Sequence, residues 1–292
     1  MAGRKYRVSV IVPHYNQAEC LRRLLPTIAT QTISDYEVII IDDCTPDRAA
    51  VEYARGFIKD RENMRLVQNS ENMRFVKTCN KGIKLAAGEY VCLLNQDTEV
   101  TSDFLQRNLQ VMDSDTSIGV LSCIVVDRDG RDWFTGGRFR SGSAVALTDD
   151  FDGMRQVDWV AGTAPFYRRE VFDKIGLFDE SYLMYHEDVE FGLRMRARTQ
   201  YKACVFSERL VKHYTVPSIP TGAFQYLIGR NNVLLARTYS PRYLPRVLLG
   251  NLRQAANLLL VALLRRDLKY LPLCYQTLRG TLEGAVLRVK RA

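Results

Sequence analysis

Short apolar runs alternate with helical stretches through the first hundred residues, and this alternation restricts the fold more than any other feature of the sequence. Four runs rich in β-branched and aliphatic residues predict buried strands: residues 7–13, 36–41, 64–68 and 89–94. Three segments with helical spacing lie between them: residues 16–31, 49–59 and 75–86. Parallel strands joined through helices need right-handed crossovers, so the sequence predicts an α/β fold with a mostly parallel sheet covered on both faces.

The pattern changes in the second half of the chain. Residues 118–127 and 157–167 predict two more strands, the glycine-rich stretch 129–152 predicts a loop, and a helix is predicted from Arg169. Residues 241–292 predict two helices, one over 244–264 with a loose break at Gly250 and one after Pro272. The chain therefore divides into an α/β part that ends near residue 240 and a helical extension.

The net charge of +8 belongs to the helical extension. Residues 241–292 carry ten Lys or Arg and two acids, whereas residues 1–240 carry 31 of each sign. The apolar run 255–264 lies between Arg253 and Arg265, and no stretch reaches the roughly 18 apolar residues of a spanning helix. The extension is therefore expected to lie in a membrane interface and to be attracted to anionic lipid. A helix packed on the rest of the chain and a homodimer contact are the alternatives, and nucleic acid is not expected as a partner.

The cysteines and the N-terminal residues bear on the compartment. The seven cysteines show no C-x-x-C pairing and no zinc-like spacing, and several, such as Cys92, lie in apolar runs where a thiol packs as a small hydrophobe. The first residues enter a strand almost at once, without the apolar core of a signal peptide. A cytoplasmic protein with reduced thiols is predicted.

Polar side chains directly follow the predicted strands. His14, Asp42, Asp43, Asn95 and Asp97 are expected to gather at one edge of the sheet, because ligands of open α/β sheets bind beyond the carboxyl ends of the strands. Asn95 and Asp97 can face one divalent cation, or they can be ordinary turn residues. Asp43 can accept hydrogen bonds from a nucleotide, while neighbouring residues of the same acidic turn cap the next helix.

Two further groups have both a structural and a chemical interpretation. Glu187 and Asp188 begin a predicted helix, where the helix dipole favours acids. A carboxylate at that place can also act as a general base that deprotonates an acceptor hydroxyl. His213 follows an apolar run, and it is either a packed histidine or a metal ligand. The residues alone leave these alternatives open.

Four separated motifs occur in an order that resembles glycosyltransferase family 2, over residues 7–240. They are VSVIVPHYN (8–16), IIDDCTPD (40–47), NKGIKLAAGEYVCLLNQD (80–97) and WVAGTAPFYRREVFDKIGLFDESYLMYHED (159–188). The last is most similar to rhamnosyltransferase-like members, and Arg230, Asn231 and His213 stand where such members have them. The resemblance implies a GT-A fold with a nucleotide-sugar-binding part (1–115) and an acceptor-binding part (116–240), followed by the basic amphipathic helical tail (241–292).

The resemblance also implies a role for each matching residue. Six residues would bind the nucleotide-sugar: Pro13, Tyr15, Asp43, Arg74, Lys81 and Asn95. Three would face the acceptor, the first by stacking on a sugar ring: Trp159, Gly162 and Thr163. Asp97 and His213 would hold Mn²⁺ or Mg²⁺. Asp188 would be the catalytic base, and Glu187 would orient it or touch the acceptor.

Two positions depart from the family pattern. Asn95 stands where the metal-binding motif has its first acid, so only Asp97 supplies negative charge there. Met73 and Arg74 stand where many relatives have a glycine before the aromatic residue, here Phe75. Arg74 either contacts the donor phosphates or marks a turn that is built differently.

The resemblance implies an inverting glycosyltransferase of the hexosyltransferase type. It would move a sugar, with rhamnose as one candidate, from a nucleoside-diphosphate sugar to a saccharide or lipid-linked saccharide in the biosynthesis of polysaccharides and cell-surface glycans. The expected place is the inner face of the plasma membrane, through peripheral contact of the tail. A non-catalytic scaffold that binds nucleotide-sugars is the alternative. A sugar nucleotidyltransferase is disfavoured, because residues 13–18 hold no glycine-rich phosphate loop.

Overall fold

The computed structural model describes residues 6–215 and 220–287, and its centre is a mixed sheet flanked by helices. The first half of the chain supplies seven elements: β1 (Tyr6–His14), α1 (Ala18–Ala29), β2 (Tyr36–Asp42), α2 (Arg48–Ile58), β3 (Met64–Gln68), α3 (Arg74–Leu85) and β4 (Gly88–Leu93). Their strands lie in the order β3-β2-β1-β4, and all three pairs are parallel. Each of these elements was predicted to within two residues, because every strand is a compact apolar run; all seven residues of β2 are buried.

The second half extends the same sheet through an antiparallel strand. Its elements are β5 (Thr98–Val100), α4 (Phe104–Ser114), β6 (Ile118–Val126), β7 (Asp132–Phe134), β8 (Gly136–Arg140), β9 (Ser143–Leu147), β10 (Met154–Val157), β11 (Phe166–Arg168), α5 (Arg169–Ile175), a 3₁₀ turn (Glu180–Tyr182), α6 (Glu187–Arg198) and β12 (Lys202–His213). The sheet continues from β4 as β11-β6-β12-β10, with β11 antiparallel to both of its neighbours. The mostly parallel α/β sheet expected from the sequence is confirmed.

Two predictions in this half are wrong. The stretch 129–152 is not a loop, since it holds β7 and the two-stranded ribbon β8–β9, which turns at Gly142 with φ +82°. Most of the β9 side chains are exposed, so the ribbon lacks the apolar run that marks a strand. The predicted strand 157–167 is split into β10 and β11, because backbone groups between them bond outside the sheet ladder: Gly162 N–H donates to Asp188, and Thr163 C=O accepts from Asn95 N–H.

Three helices complete the described chain: α7 (Thr221–Tyr239), α8 (Leu244–Arg265) and α9 (Tyr270–Val286). The predicted C-terminal helices are confirmed, but α8 runs through Gly250 without the expected break. A glycine inside a helix costs only about 1 kcal/mol, which the rest of the helix can offset. Similarly, α9 begins two residues before Pro272, since the first turn of a helix tolerates proline.

Helices α7 and α9 cross with their backbones almost in contact. A Cβ atom added to Gly280 would lie 2.1 Å from Tyr226 O, and one added to Gly284 would lie 2.5 Å from Arg230 O. The sequence places α7 in the acceptor-binding part and α9 in the tail, so this crossing joins the tail directly to the rest of the fold.

One helical stretch among the described residues, Pro241–Arg265, is long and apolar enough to cross a bilayer by length and composition alone, with 22% of its most apolar window buried in the protein. The prediction that no such stretch exists is therefore wrong. It rested on an uninterrupted apolar run, whereas the continuous helix carries its leucines past Gly250 and Arg253.

The crossing of α7 and α9 predicts opposite effects for two glycine substitutions. Gly280→Val should lower the free energy of unfolding by about 1–3 kcal/mol, because a side chain has no room against Tyr226 O. Gly250→Ala is the control: no atom lies within 4 Å of its Cβ position, so it should raise the free energy of unfolding by about 0.5–1 kcal/mol. Urea unfolding followed by far-UV circular dichroism measures both. A Gly280→Val protein that unfolds at the wild-type urea concentration would contradict the close crossing.

Candidate active site

The carboxyl ends of β1, β2 and β4 lie side by side and bring the predicted polar residues together. The register pairs His14 with Asp42, and Asp43 N–H donates to His14 O over 2.8 Å. On the other side of β1, Leu94 N–H donates to Ile11 O over 2.9 Å, so residues 95–97 emerge next to the end of β1. Parallel pairing thus forms the edge at which a ligand of an α/β sheet is expected.

The carboxylate of Asp43 organises the loop that leads into α3. Its Oδ1 accepts from Asn69 Nδ2 over 2.7 Å and from Met73 N–H over 2.8 Å, while its Oδ2 accepts from Arg74 N–H over 2.9 Å. Lys81 Nζ in turn donates to Asn69 Oδ1 over 2.6 Å. Asp43 and Lys81 are therefore linked through Asn69, a residue that sequence reasoning missed because nothing in the local sequence indicates this contact.

Arg74 begins α3 with a backbone conformation that favours glycine. Its φ is +69°, and its N–H donates to Asp43 Oδ2 and, over 3.1 Å, to Asn72 Oδ1. The left-handed conformation costs a residue with a Cβ atom about 1 kcal/mol or more. The turn thus has a backbone shape that glycine adopts without cost, and the exposed arginine side chain comes with backbone strain.

Gln96 joins the end of β1 to the turn that contains Asn95 and Asp97. Its Oε1 lies 2.6 Å from His14 Nδ1 and accepts from Tyr15 N–H over 3.1 Å, while its Nε2 donates to Tyr15 O over 3.2 Å. Burial lowers the pKa of His14, which favours the neutral imidazole. The two contacts with Gln96 fix the backbone of Tyr15, whose side chain is 39% exposed at this edge of the sheet. Pro13, in contrast, is buried within β1. Sequence reasoning missed Gln96, whose partners lie about 80 positions earlier in the chain.

Asp97 and His213 come together from distant parts of the chain. Asp97 Oδ2 lies 3.2 Å from His213 Nε2, since β5 pairs with the end of β12. The ring of Trp133 packs edge-on against His213, with centroids 4.6 Å apart. Asn95 Oδ1 is buried, and no hydrogen-bond partner for it lies within 6–215 or 220–287.

This donor set fits a divalent cation that is completed by a substrate. A carboxylate, an imidazole and an unpaired amide oxygen are donors that Mn²⁺ accepts, and phosphates and water commonly supply its other ligands. The described residues contain no group of three His, Cys, Asp or Glu side chains placed to hold a metal on their own. Asp97 and His213 would thus supply only part of a cation's ligands.

Glu187 and Asp188 open α6 as an adjacent carboxyl pair, in which Glu187 is buried and Asp188 is half-buried. Asp188 Oδ2 accepts from Gly162 N–H, and its Oδ1 accepts from Val189 N–H, both over 2.8 Å. Burial raises the pKa of both groups, and the neighbouring Asp188 charge raises the pKa of Glu187 further. The two N–H donors oppose this rise at Asp188, so Asp188 ionises before Glu187.

Residues 162 and 163 connect the carboxyl pair to the turn at Asn95. A Cβ atom on Gly162 would lie 3.4 Å from Glu187 Oε1, so the backbone passes directly against the pair. Thr163 O accepts from Asn95 N–H over 2.9 Å. The expected donor side and acceptor side of the site are therefore parts of one hydrogen-bonded structure.

Trp159 occupies a different environment from the one expected of a sugar-stacking residue. It is only 8% exposed, its ring packs against Phe134 with centroids 5.2 Å apart, and its Nε1–H donates to Arg138 O over 3.3 Å. A Cβ atom on Gly137 would lie 2.2 Å from the indole. The Trp159 ring packs against Gly137 in β8, so little of its surface is accessible for stacking on a sugar.

The parallel order β3-β2-β1-β4, the antiparallel β11 and the acidic turns at the strand ends together define the GT-A class of α/β proteins. The chain belongs to glycosyl transferase family 2, whose model matches residues 9–176. The family resemblance found in the motifs is confirmed.

Solved structures share this fold. S. aureus TarS 1-349 in complex with UDP-GlcNAc aligns with a TM-score of 0.66 and 18% identity, over 95% of this chain and 81% of that chain. The mannosyltransferase PcManGT from Pyrobaculum calidifontis, in complex with GDP-Man and Mn²⁺, aligns with a TM-score of 0.59 and 19% identity, over 96% of this chain and 87% of that chain. At these identities the likeness concerns the fold alone.

The curated relatives include uncharacterized glycosyltransferases and a glycosyltransferase of amylovoran biosynthesis. The uncharacterized glycosyltransferase EpsJ of Bacillus subtilis is 25% identical over 191 residues, which is 64% of this chain and 55% of EpsJ. The amylovoran biosynthesis glycosyltransferase AmsB of Erwinia amylovora is 33% identical over 108 residues, which is 36% of this chain and 35% of AmsB. The chain thus spans about half or less of the length of these relatives. The narrower likeness to rhamnosyltransferase-like members has no specific support in these matches.

The strain at Arg74 predicts a stabilising substitution. Arg74→Gly should raise the free energy of unfolding by about 1 kcal/mol, because glycine adopts φ +69° without a Cβ clash. Arg74→Ala removes the same side chain but keeps the clash, so it should give no such gain. Thermal and urea unfolding of the two variants separate the effects. Equal unfolding midpoints for both would mean that the backbone at residue 74 is not strained.

Proposed function

We propose that this chain is an inverting glycosyltransferase that moves a sugar from a nucleoside-diphosphate sugar to a hydroxyl group of a saccharide or lipid-linked saccharide. The observation that carries the proposal is the carboxylate of Asp188. It is partly accessible, held by two backbone N–H groups, and connected through Gly162 and Thr163 to the turn at Asn95. A base in this position faces an acceptor while the donor lies at the edge of the sheet.

The reaction is a single displacement. Asp188 accepts the proton of the acceptor hydroxyl as its oxygen attacks the anomeric carbon, and a new C–O bond forms. The bond from that carbon to the phosphate oxygen breaks, and the nucleoside diphosphate leaves with the electron pair from the opposite face, so configuration inverts. Glu187 is the harder of the pair to ionise, so it retains its proton and leaves the negative charge of the pair on Asp188.

The donor is proposed to bind across the ends of β1 and β2. Tyr15 and the backbone near Pro13 would contact the nucleoside, with Asp43 acting through the loop that it orders. Arg74 lies in the first turn of α3 with its side chain exposed, and Lys81 lies about two turns further along the same face of the helix. A strained residue whose side chain is positively charged and exposed is typical of a ligand contact that opposes stability.

Asp97, His213 and Asn95 would hold Mn²⁺ or Mg²⁺ together with the diphosphate. The cation would offset the negative charge that develops on the leaving phosphate. The GDP-Man complex of PcManGT contains Mn²⁺, which supports the choice of ion. Asn95 in place of an acid leaves Asp97 as the one carboxylate of this donor set, so the affinity for the cation is expected to depend strongly on bound nucleotide.

A non-catalytic scaffold that binds nucleotide-sugars is the second candidate, and Asn95 is the observation that favours it. Incubation with UDP-GlcNAc, GDP-mannose or dTDP-rhamnose, with Mn²⁺ or with EDTA, distinguishes the two. An enzyme releases nucleoside diphosphate even without an identified acceptor, because water can take the place of the acceptor hydroxyl. A scaffold binds one of these donors and releases none.

Removal of the proposed base predicts a specific loss. Asp188→Asn should lower the rate of nucleoside diphosphate release by about 10²–10⁴-fold, the usual contribution of a general base, and leave nucleotide binding by calorimetry unchanged. Asp158→Asn is the control, since Asp158 also accepts a backbone N–H, that of Phe139, but lies outside this pair. More than about a tenth of wild-type turnover in Asp188→Asn would exclude Asp188 as the base.

The raised pKa of Asp188 also predicts a pH dependence. In the wild type, kcat/KM should fall as the pH drops through a value above the ordinary carboxylate pKa of about 4, because burial raises the pKa of Asp188 and the protonated carboxyl cannot act as a base.

We also propose that the turn between α8 and α9 inserts into the interface of an anionic membrane from the cytoplasmic side. Leu263, Leu264 and Leu268 are 67%, 75% and 74% exposed, and Arg265 and Arg266 lie among them. Exposed leucines interleaved with arginines suit the boundary between lipid headgroups and acyl chains. The buried Asn251 donates to Gly229 O on α7 over 2.9 Å, which ties α8 to the catalytic fold and favours an interfacial helix over a spanning one.

The membrane proposal predicts a position-dependent loss of binding. The double substitution Leu263→Ser and Leu264→Ser should abolish most co-sedimentation with phosphatidylglycerol vesicles. Leu282→Ser with Val286→Ser is the control, since these residues are 68% and 77% exposed at the other end of α9 and should leave binding intact. Equal losses in both variants, or no binding by the wild type, would exclude the turn as the membrane contact. Sedimentation velocity shows whether the same leucines instead join two copies of the chain.

A further inference from the structure

The turn that directly precedes Glu187 and Asp188, residues 182–186, has a strained backbone. Leu183, Tyr185 and His186 have φ values of 60°, 66° and 64°, and none of them is glycine. Each such residue costs on the order of 1 kcal/mol or more, so three of them within four positions do not hold this shape on their own. Contacts from elsewhere in the fold must stabilise the turn.

Asn231 on α7 provides those contacts. It is fully buried, and its Nδ2 lies within hydrogen-bond distance of three backbone carbonyl oxygens of the turn: Tyr182 O at 3.0 Å, Met184 O at 2.9 Å and Tyr185 O at 2.7 Å. The Asn231 amide has two N–H donors, so the three carbonyls share them within this distance. Asn231 therefore fixes the turn immediately before the carboxyl pair.

The contact continues into α9 through a buried charge. Arg230 Nη1 donates to Asn231 Oδ1 over 2.8 Å and to Ser181 O over 2.7 Å, and its Nε donates to Glu283 Oε1 over 2.9 Å. Glu283 also accepts from Tyr226 O–H over 2.5 Å, and these two donors lower its pKa. An unbroken chain of hydrogen bonds thus runs from the tail helix to the turn.

We propose that Asn231 is a positioning residue for sugar transfer, and that the pair Arg230–Glu283 makes α9 part of the same support. Asn231 sets the path of the turn, and the turn sets where Asp188 meets the acceptor oxygen. This inference rests on the proposed function, since it concerns the geometry of its base. A displacement of about 1 Å at a reacting group can lower a rate by about 10²-fold, so loss of this support should be visible in turnover.

A buried asparagine that only stabilises the fold is available for comparison. Asn251 on α8 is buried as well, and its Nδ2 donates to Gly229 O over 2.9 Å and to Thr281 Oγ1 over 3.0 Å. These contacts tie the three C-terminal helices together and include no residue of the turn. Asn231 and Asn251 thus have similar burial and bonding but different partners.

The experiment compares Asn231→Ala with Asn251→Ala in the full chain, by thermal unfolding and by steady-state release of nucleoside diphosphate from the donor that the wild type uses. Both variants should unfold at lower temperature. Asn231→Ala should lower kcat by about 10–100-fold with the KM for the donor within about twofold of wild type, whereas Asn251→Ala should keep both constants near wild type at a temperature where each is folded. Equal kcat values for the two variants would overturn the proposal.

Glu283→Gln gives a second measurement if Asn231→Ala does not fold. Glu283 is about a third exposed, so a neutral glutamine side chain should be tolerated at this position. The substitution removes the negative charge that pairs with Arg230, and this weakens the contact between α9 and α7. The expected result is a drop in kcat of several-fold with the donor KM unchanged, and an unchanged kcat in a less stable protein would overturn the coupling to α9. If the wild type releases no nucleoside diphosphate, the proposed function fails. If the wild type is active and both variants have the wild-type kcat, the proposed function stands and only this inference fails.

Discussion

Backbone N–H groups donate to two carboxylates, the buried Asp43 and the half-buried Asp188, and these bonds shape both sides of the site. Asp43 accepts from the N–H groups of Met73 and Arg74, and this fixes the entry to α3. Asp188 accepts from those of Gly162 and Val189, and this places the acceptor segment against α6. At Asp188 the two donors oppose the rise in pKa that burial causes, and so favour the ionised carboxylate. The two turns, and the residues that they carry, depend on these few bonds.

The sequence predicts the first half of the fold well because its information there is local. Each parallel strand is a buried apolar run with a polar residue at its end, and the crossovers admit few alternatives. The second half was predicted less well for a physical reason. The ribbon β8–β9 is exposed and has no apolar run, and the segment between β10 and β11 uses its backbone to bind Asp188 and Asn95 rather than a neighbouring strand.

In the candidate site, too, the features that depend on local sequence were predicted and those that depend on distant contacts were not. Motifs identified the residue types at the strand ends and the start of α6, and the structure brings Asp97 to His213 across 116 positions of sequence. The contacts that hold these groups in place were not predictable. Nothing in the sequence indicated Gln96 or Asn69, and Asn231 was noted only for its position in the family pattern. All three act through partners that are far away in the chain, which an amide side chain does not indicate. Arg74 adopts a backbone conformation that favours glycine, which its side chain did not indicate.

The crossing of α7 and α9 limits how family members can exchange their C-terminal regions. The family match covers residues 9–176, and α7, α8 and α9 lie beyond it. In this chain, however, Gly280 and Gly284 touch the backbone of the helix that carries Asn231. A chimera that joined residues 1–240 to the tail of another member would fold only if that tail presented equally small residues at the crossing. A change in the tail at this crossing would therefore also act on the helix that carries Asn231 and, through it, on the turn before Glu187 and Asp188.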